Sequence, residues 1–236
     1  REIIATASFT RARIQAHLLF VHDENNYLLR INEPDPEGPP PRFFLSRTAR
    51  GNLWRTRYDL PQTLTAELVK LASEEPITDN LLAPPRYESN YVKLLEQEAP
   101  ITEEYSGPAY YLNIRTMPDG AVLITQGNAA LIEANFPYTM SHLNSHEPVV
   151  VVIADDVAVA LCRSVRLGAH HAEAGVDTVS TYRGRGYAAL VTQGWSAASY
   201  VAGRIPLYST SWDNLASQAV ARKAGAIHYA STFSLY

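Results

Sequence analysis

The sequence predicts an α/β protein with a mixed (α+β) sheet, preceded by a small α+β region. From residue 149 onward, three β-rich runs precede a helix, a strand, a helix and a last strand, an order typical of α/β folds. Before residue 105, short strand-like and helical runs alternate with proline-rich loops. We therefore expect two regions, residues 1–104 and 105–236.

Composition excludes several classes of protein. Apolar residues make up 46% and charged residues 19% of the 236 residues, close to the average of globular proteins. The formal charge is −4 and no run of Lys and Arg is present, which disfavours a nucleic-acid partner. No apolar run reaches the roughly 20 residues of a membrane span, and no signal-peptide pattern opens the sequence. We expect a cytoplasmic protein with no membrane partner.

The first region contains a predicted hairpin, a further strand and two helices. Residues 23–26 form a polar turn between two β-rich runs, and Leu60, Leu64, Leu68 and Leu71 recur at helical spacing after a favourable helix start. We expect Phe43, Phe44, Trp54 and Tyr58 to form the core here. The predicted elements are strands at 17–21, 27–31 and 43–45, a helix that begins near Pro61, and a helix at 91–97.

The second region changes from β-rich runs to a helical period near residue 188. Ala188, Val191 and Trp195 repeat at intervals of three and four, and Asp213 can cap the next helix before Gly225 ends it. The predicted elements are a strand at 110–114, a helix within 121–134, strands at 149–153, 157–164 and 174–179, a helix at 188–202, a strand at 206–208, a helix after 213 and a strand at 227–233.

Cysteine and histidine usage points to no metal site and no disulfide. Cys162 is the single cysteine and lies in an apolar strand, so we expect a buried core thiol. His170 and His171 are adjacent, and adjacent side chains on an extended segment point in opposite directions. A shared metal ligand role for this pair is therefore not expected.

The segment from Arg183 to Ala188 joins a predicted strand to a predicted helix and contains two glycines, Gly184 and Gly186. The first turn of a helix has unpaired N–H groups and the positive end of the helix dipole, so such a turn is a natural anion site. Glycine allows close approach of a phosphate, and Arg183 and Arg185 can add charge-assisted hydrogen bonds. We expect a pyrophosphate to bind here.

Two other phosphate-binding patterns fail at this turn. A P-loop requires Gly-Lys-Ser/Thr, which is missing. Gly184, Gly186 and Ala189 match the dinucleotide-binding fingerprint in form. That fingerprint needs an acidic residue about 20 positions later and several further βαβ units, whereas here Gly203-Arg204 occupies the position and about 50 residues remain.

The same turn resembles the GNAT superfamily of N-acetyltransferases. That family carries Arg/Gln-x-x-Gly-x-Gly/Ala between a strand and a helix, and Arg183, Gly186 and Ala188 fit this pattern. Downstream, the stretch from Trp212 to Asn214 with Ser217, Ala221 and Gly225 resembles the family's later Asn-containing helix. The resemblance covers roughly residues 148–236.

The resemblance implies a GNAT fold and transfer of an acetyl group from acetyl-CoA, as co-substrate, to an amine, expected on a small molecule. It implies that the Val179 backbone pairs with the pantetheine arm and that the following turn holds the pyrophosphate. The first region would then shape the acceptor site or a homodimer interface. The implied donor-binding residues are Thr178, Val179, Arg183, Gly184, Arg185, Gly186, Tyr187, Ala188, Asn214 and Ser217.

The expected reaction needs a base for the amine and an acid for the leaving thiolate. Glu173 and Asp177 lie four apart on a predicted strand, hence on one face, and either can act as base or be an ordinary solvated or ion-paired carboxylate. The family's usual acid is a Tyr at the position that Ala221 occupies here. Tyr208 or Ser209 can replace it, or the chain can be a non-catalytic acyl-CoA-binding or sensor protein.

Overall fold

A computed structural model describes residues 2–33 and 36–236, with side chains of the first helix described from Ser8 onward. The protein is mixed α/β with a large mixed sheet, which confirms the predicted fold class. No helix in the described ranges is both long and apolar enough to cross a membrane. The chain forms two compact units, one made of Arg1–Ala109, Ser211–Asp213 and Tyr229–Tyr236, the other of Tyr110–Thr210 and Asn214–His228.

The first unit combines three helices with short antiparallel strands. Strand β3 pairs antiparallel with β4 and with residues 231–235 of β11, and β1 pairs antiparallel with β2. Its elements are α1 (Glu2–Leu19), β1 (Phe20–His22), β2 (Leu28–Ile31), β3 (Phe43–Thr48), β4 (Gly51–Thr56), α2 (Gln62–Ser73), α3 (Glu88–Glu96), most of β5 (Glu104–Tyr111) and most of β11 (Ile227–Leu235).

Helices α2 and α3 pack on the sheet of this unit through a core that contains Phe43, Leu68, Tyr91 and Phe233. Phe43 and Phe44 are buried as predicted, Trp54 is half-buried, and Tyr58 is 59% exposed, so its prediction as a core residue is wrong. The predicted hairpin and both predicted helices are present. The predicted strand at 17–21 is wrong over residues 17–19, which form the last turn of α1.

Two buried charged groups of this unit, Glu75 and Arg42, are paired. The Glu75 carboxylate is buried and accepts hydrogen bonds from the N–H of Arg86, from the N–H of Tyr87 and from the Tyr91 hydroxyl. The Arg42 guanidinium donates to four backbone carbonyls, including that of Tyr236. These contacts satisfy groups that would be costly to bury alone.

The second unit is a five-stranded mixed sheet in the order β10-β9-β8-β7-β6. Strands β9 and β10 are parallel and the other neighbours are antiparallel. Its elements are β6 (Val122–Leu123), α4 (Ala130–Glu133), α5 (Pro137–Ser141), α6 (Leu143–His146), β7 (Val149–Ala154), β8 (Val157–Leu167), β9 (His171–Thr178), α7 (Tyr187–Val201), β10 (Ile205–Ser209) and α8 (Leu215–Lys223).

Both faces of this sheet are covered. On one face α7 packs against the strands through a cluster that includes Cys162 and Trp195, and the Trp195 Nε1–H donates to Ser164 Oγ over 3.1 Å. On the other face, Ile132 and Leu143 of the short helices pack against Leu161. The thiol is thus a core group, as predicted, and the Trp195 indole packs in the same core; burial raises the pKa of Cys162.

The element order predicted from residue 149 to the end of the chain is confirmed. Several element boundaries differ from the prediction, among them those of β5 and α8. The strand expected at 110–114 runs instead over Glu104–Tyr111, and the N-cap of α8 is Asn214 rather than Asp213. The Asn214 Oδ1 accepts the Ser217 N–H over 2.9 Å, which is the hydrogen bond that defines an N-cap.

Strand β8 contains a bulge beside Gly175 of β9. The register between the two strands shifts between Ser164 and Arg166, so Val165 is the extra residue. A Cβ at position 175 would overlap Val165 Cγ1 and lie 3.8 Å from Arg163 Cζ. The bulge therefore requires glycine at this position for space rather than for backbone angles.

We expect Gly175→Ala to lower the free energy of unfolding by about 1–3 kcal/mol, because the new methyl group overpacks against Val165. Adding Val165→Ala should recover much of this loss. Gly127→Ala is the matched control, since its Cβ would lie 3.7 Å from Thr125 Oγ1, an ordinary contact. Urea denaturation of the wild type and these three variants measures the changes, and equal losses at positions 175 and 127 would contradict the packing argument.

Candidate functional site

The parallel strands β9 and β10 separate part-way along their length. They pair from Ile205 opposite His171 to Leu207 opposite Glu173, and no pairing follows although β9 continues to Thr178. Beyond the last pair lies a groove of about 1000 Å³ inside the second unit. The next residues of both strands line it, among them Val176 and Ser209.

The separated edge of β9 presents unpaired backbone groups to this groove. The Val179 N–H donates to Val159 O over 2.9 Å and its carbonyl accepts the Tyr182 N–H, so both groups are engaged. Because hydrogen-bonding direction alternates along an antiparallel ladder, the backbone groups of Val176 and Thr178 point toward the groove, where the Thr178 carbonyl accepts a hydrogen bond from Arg183 Nε. The Val179 groups are engaged, so strand-like pairing is available at Val176 and at the Thr178 N–H.

The turn after β9 has the geometry of an anion site. Gly184 and Gly186 have φ angles of 77° and 84°, in the left-handed region that favours glycine. A Cβ built at either position meets no atom within 4 Å, so the space above the turn is open. Gly186 is the N-cap of α7 and has no side chain to accept the first-turn N–H groups, which include those of Tyr187 and Ala188.

The two arginines of this turn differ in direction. Arg183 lines the groove, and its Nε donates to Thr178 O over 3.3 Å. The Arg185 side chain is not among the groove-lining residues: its Cζ lies 4.8 Å from the ring centroid of Tyr182 and its Nη2 donates to Thr181 O. Of this pair, only Arg183 offers its guanidinium to a ligand in the groove.

The start of α8 and the end of β10 close another side of the groove. Asn214 and Ser217 line it from α8, and Tyr208 lines it from β10. The Tyr208 hydroxyl lies 2.7 Å from Ser217 Oγ and 3.3 Å from Ser217 O. Burial raises the pKa of Tyr208 to about 12, although the hydrogen bond with Ser217 opposes the shift. The phenol therefore keeps its proton at neutral pH and can donate it.

Glu173 and Asp177 share one face of β9, as predicted, but their surroundings differ. Glu173 is 1% exposed, and its Oε1 accepts the Ser209 hydroxyl over 2.5 Å. Burial raises the pKa of Glu173, while the Ser209 hydroxyl and the charge of Arg166 oppose the shift. Glu173 does not line the groove itself; Ser209, its hydrogen-bond donor, does.

The Asp177 carboxylate is solvated and ion-paired. Its side chain is 54% exposed, lines the groove and accepts a hydrogen bond from Arg163 Nη1. Of the two predicted bases, Glu173 has the environment of a tuned base and Asp177 that of an ion-paired charge.

One wall of the groove and two of its charges were not predicted from the sequence. Residues 135–139, which run from the loop after α4 into α5, form the wall, and Asn135 Nδ2 fixes it by donating to Ala158 O over 2.8 Å. Arg163 and Lys223 are the missed charges. In the sequence, Phe136-Pro137 marks only the end of a helical stretch. The position of this segment beside the groove depends on how the strands pair.

The groove thus has an open glycine turn at the N-terminus of α7 at one end, and buried hydroxyl and carboxyl groups near the point where the strands separate. It suits a ligand with a diphosphate at one end and an extended arm that can pair with a strand edge. Among the residues that the structure describes, no three His, Cys, Asp or Glu side chains gather closely enough to hold a metal ion.

No family model and no curated protein matches this sequence. Several solved structures match its fold. The chain is similar in structure to GNAT-family proteins. One is described as an acetyltransferase of this family from Colwellia psychrerythraea, with 17% identity, a TM-score of 0.45, and coverage of 78% of this chain and 76% of that one.

Two further structures are similar at the same level. A GCN5-related N-acetyltransferase-like protein from Streptococcus suis has 15% identity, a TM-score of 0.46, and coverage of 86% of this chain and 87% of that one. A GNAT-family structure from Novosphingobium aromaticivorans has 19% identity and a TM-score of 0.43; the match covers 57% of this chain and spans 65% of the other chain's length.

Proposed function

We propose that the protein is an acyl-CoA-dependent N-acetyltransferase that moves an acetyl group from acetyl-CoA to an amine by direct attack. One observation carries this proposal: the groove between the separated strands leads to an open glycine turn at the N-terminus of α7. A thioester on a long arm that ends in a diphosphate fits both features at once. A dinucleotide would use the turn but not the free edge of β9.

The donor would be held by main-chain groups along most of its length. The amides of the turn and of the first turn of α7 would bind the diphosphate, with Arg183 adding a charged donor. The free edge of β9 at Val176 and Thr178 would pair with the amides of the pantetheine arm. The proposed donor-binding residues are Val176, Thr178, Val179, Arg183, Gly184, Gly186, Tyr187, Ala188, Asn214 and Ser217, with Arg185 contributing through its backbone.

In the proposed reaction, the amine nitrogen attacks the thioester carbonyl carbon. A C–N bond forms, the C–S bond breaks, and one proton passes from nitrogen to the thiolate. Glu173 would accept the proton through a water at Ser209, because its raised pKa makes it a better base than an exposed carboxylate. Tyr208, protonated at neutral pH and exposed to the groove, would donate to the leaving sulfur.

A non-catalytic acyl-CoA-binding protein is the alternative, and Ala221 favours it. Ala221 is fully buried in the core beside α7, so this position presents no hydroxyl. Release of CoA from acetyl-CoA is measured with and without a panel of amines. Amine-dependent release would reject the alternative, and tight binding without release for any amine would reject the enzyme.

We expect Arg183→Ala to weaken acetyl-CoA binding about tenfold, because a hydrogen bond from a charged donor contributes about 1.5 kcal/mol or more. Arg185→Ala is the matched control: it removes the same charge from the same turn, but its side chain packs on Tyr182. Its loss should stay within about twofold. Calorimetric titration measures both, and equal losses for the two variants would contradict the assignment.

We expect kcat/KM to rise with pH as Glu173 loses its proton, with a midpoint above the usual range of a glutamate because burial raises its pKa. Ser209→Ala removes a hydrogen bond that favours the charged carboxylate, so the midpoint should move to higher pH. Glu173→Gln should abolish this titration. With the same amine for every variant, the ionisation of the amine contributes equally to each profile, so the profiles can be compared. An unmoved midpoint in Ser209→Ala would contradict the role of Glu173.

A further inference from the structure

The part of the groove that faces away from α7 has its own set of lining residues. Gly175 and Asp177 lie on this face of β9, Arg163 lies on the same face of β8, and residues 135–139 form the opposite wall. The glycine turn and α8 line other parts of the groove and contribute none of these residues. An amine that approaches the thioester from this face would contact them first.

The pairing of β8 with β9 at Gly175 builds this surface. Arg163 pairs directly with Gly175, and the guanidinium lies over the glycine, close to where a Cβ would be. This position lets Arg163 Nη1 reach the Asp177 carboxylate across the missing side chain. The result is a guanidinium and a carboxylate side by side on the floor of the groove.

Both members of this ion pair retain binding capacity. A guanidinium has five N–H groups, and the only hydrogen bond found for the Arg163 guanidinium among the described residues uses Nη1. The Asp177 side chain is 54% exposed, so a second cation can reach it. Such a pair can bind a ligand that carries both charges, since the carboxylate of the ligand can share the guanidinium fork and its ammonium can contact Asp177.

The charges of the whole groove disfavour a polycationic acceptor. Among the groove-lining residues that the structure describes, Asp177 is the single acid, and Arg163, Arg183 and Lys223 are cations. A polyamine or a basic peptide would meet more like charge than opposite charge here. The charges of the groove complement those of an acceptor that carries one ammonium and one carboxylate.

Aromatic rings define the rest of this surface. Tyr138 is half exposed to the groove, and its ring lies 4.5 Å from the ring of His142 and 5.6 Å from that of His146, measured between centroids. Burial lowers the pKa of His146, and the charges of Arg163 and His142 lower it further, so it adds no positive charge at neutral pH. Phe136 lines the same wall. An apolar or aromatic substituent can pack there.

We propose that the acceptor is an α-amino acid or a similarly small amine that carries a carboxylate, with Arg163 binding the carboxylate and Asp177 the ammonium before it loses its proton. The proposal rests on the proposed acetyltransfer and names its acceptor class. Arg163 is then the residue that determines specificity, and the apolar side chain of the acceptor packs against Tyr138 and Phe136.

The test compares the twenty protein amino acids with the amines that lack only their carboxylate, for example phenylalanine with 2-phenylethylamine and leucine with 3-methylbutylamine. CoA release from acetyl-CoA gives kcat/KM for each pair. We expect at least one amino acid to exceed its matched amine by about tenfold or more. Arg163→Gln should remove this preference, because kcat/KM falls about tenfold more for the amino acid than for its matched amine.

Lys223→Gln is the matched control, because it removes an equal charge from the same groove and should leave the preference for the carboxylate unchanged. Acetyl-CoA affinity, measured by calorimetry, should be the same in Arg163→Gln and the wild type, which shows that the fold and the donor site are intact. If wild-type protein fails to bind acetyl-CoA, the proposed function fails. Three results would overturn only the acceptor proposal. The wild type could bind acetyl-CoA but prefer the amines, or acetylate amines but no amino acid. Alternatively, Arg163→Gln could lose activity toward the amino acid and the amine equally.

Discussion

The separation of β9 from β10 beyond the pair Leu207–Glu173 is the constraint on which the site depends. A strand inside a sheet normally has both edges paired, because unpaired backbone groups are costly to bury. Here one edge of β9 is left without a strand partner and faces a groove. The groove, the strand-like surface for a ligand and the position of the carboxylates all follow from this one interruption.

The same interruption explains why two carboxylates on one face of a strand differ. Glu173 lies at the last paired position, so neighbouring backbone encloses it and Ser209 of the adjacent strand donates to it. Asp177 lies where the strands have separated, so it is open to solvent and to Arg163. Position along the separating strands therefore sets which of them is suited to accept a proton and which to hold a charge.

Local signals predicted much of the fold and the position of the glycine turn. The change from a β-rich run to a helical period marks this turn in the sequence, and both glycines lie in it with positive φ angles. Short-range ambiguity explains the errors: the apolar run at residues 17–21 suits a helix end or a strand, and Asp213 and Asn214 are both good N-caps. The sequence of the turn also does not reveal which of its two arginines, Arg183 or Arg185, faces the groove.

The acceptor side could not be predicted, because it depends on contacts between distant parts of the chain. Arg163 and Asp177 are 14 residues apart and meet because β8 pairs with β9 so that Arg163 lies opposite Gly175, which places no side chain between them. The wall at residues 135–139 reaches the groove through the packing of short helices on β8. A single glycine in a strand carries no local sign that a neighbouring strand crowds it.

The central claim is that this groove binds a thioester of CoA. Calorimetric titration of the wild-type protein with acetyl-CoA, alongside CoA and NADH, tests it most directly. We expect acetyl-CoA to bind at one site with a dissociation constant on the order of micromolar, CoA to bind similarly, and NADH to give no heat of binding. Binding of NADH without binding of acetyl-CoA would contradict the account and would assign the glycine turn to a dinucleotide.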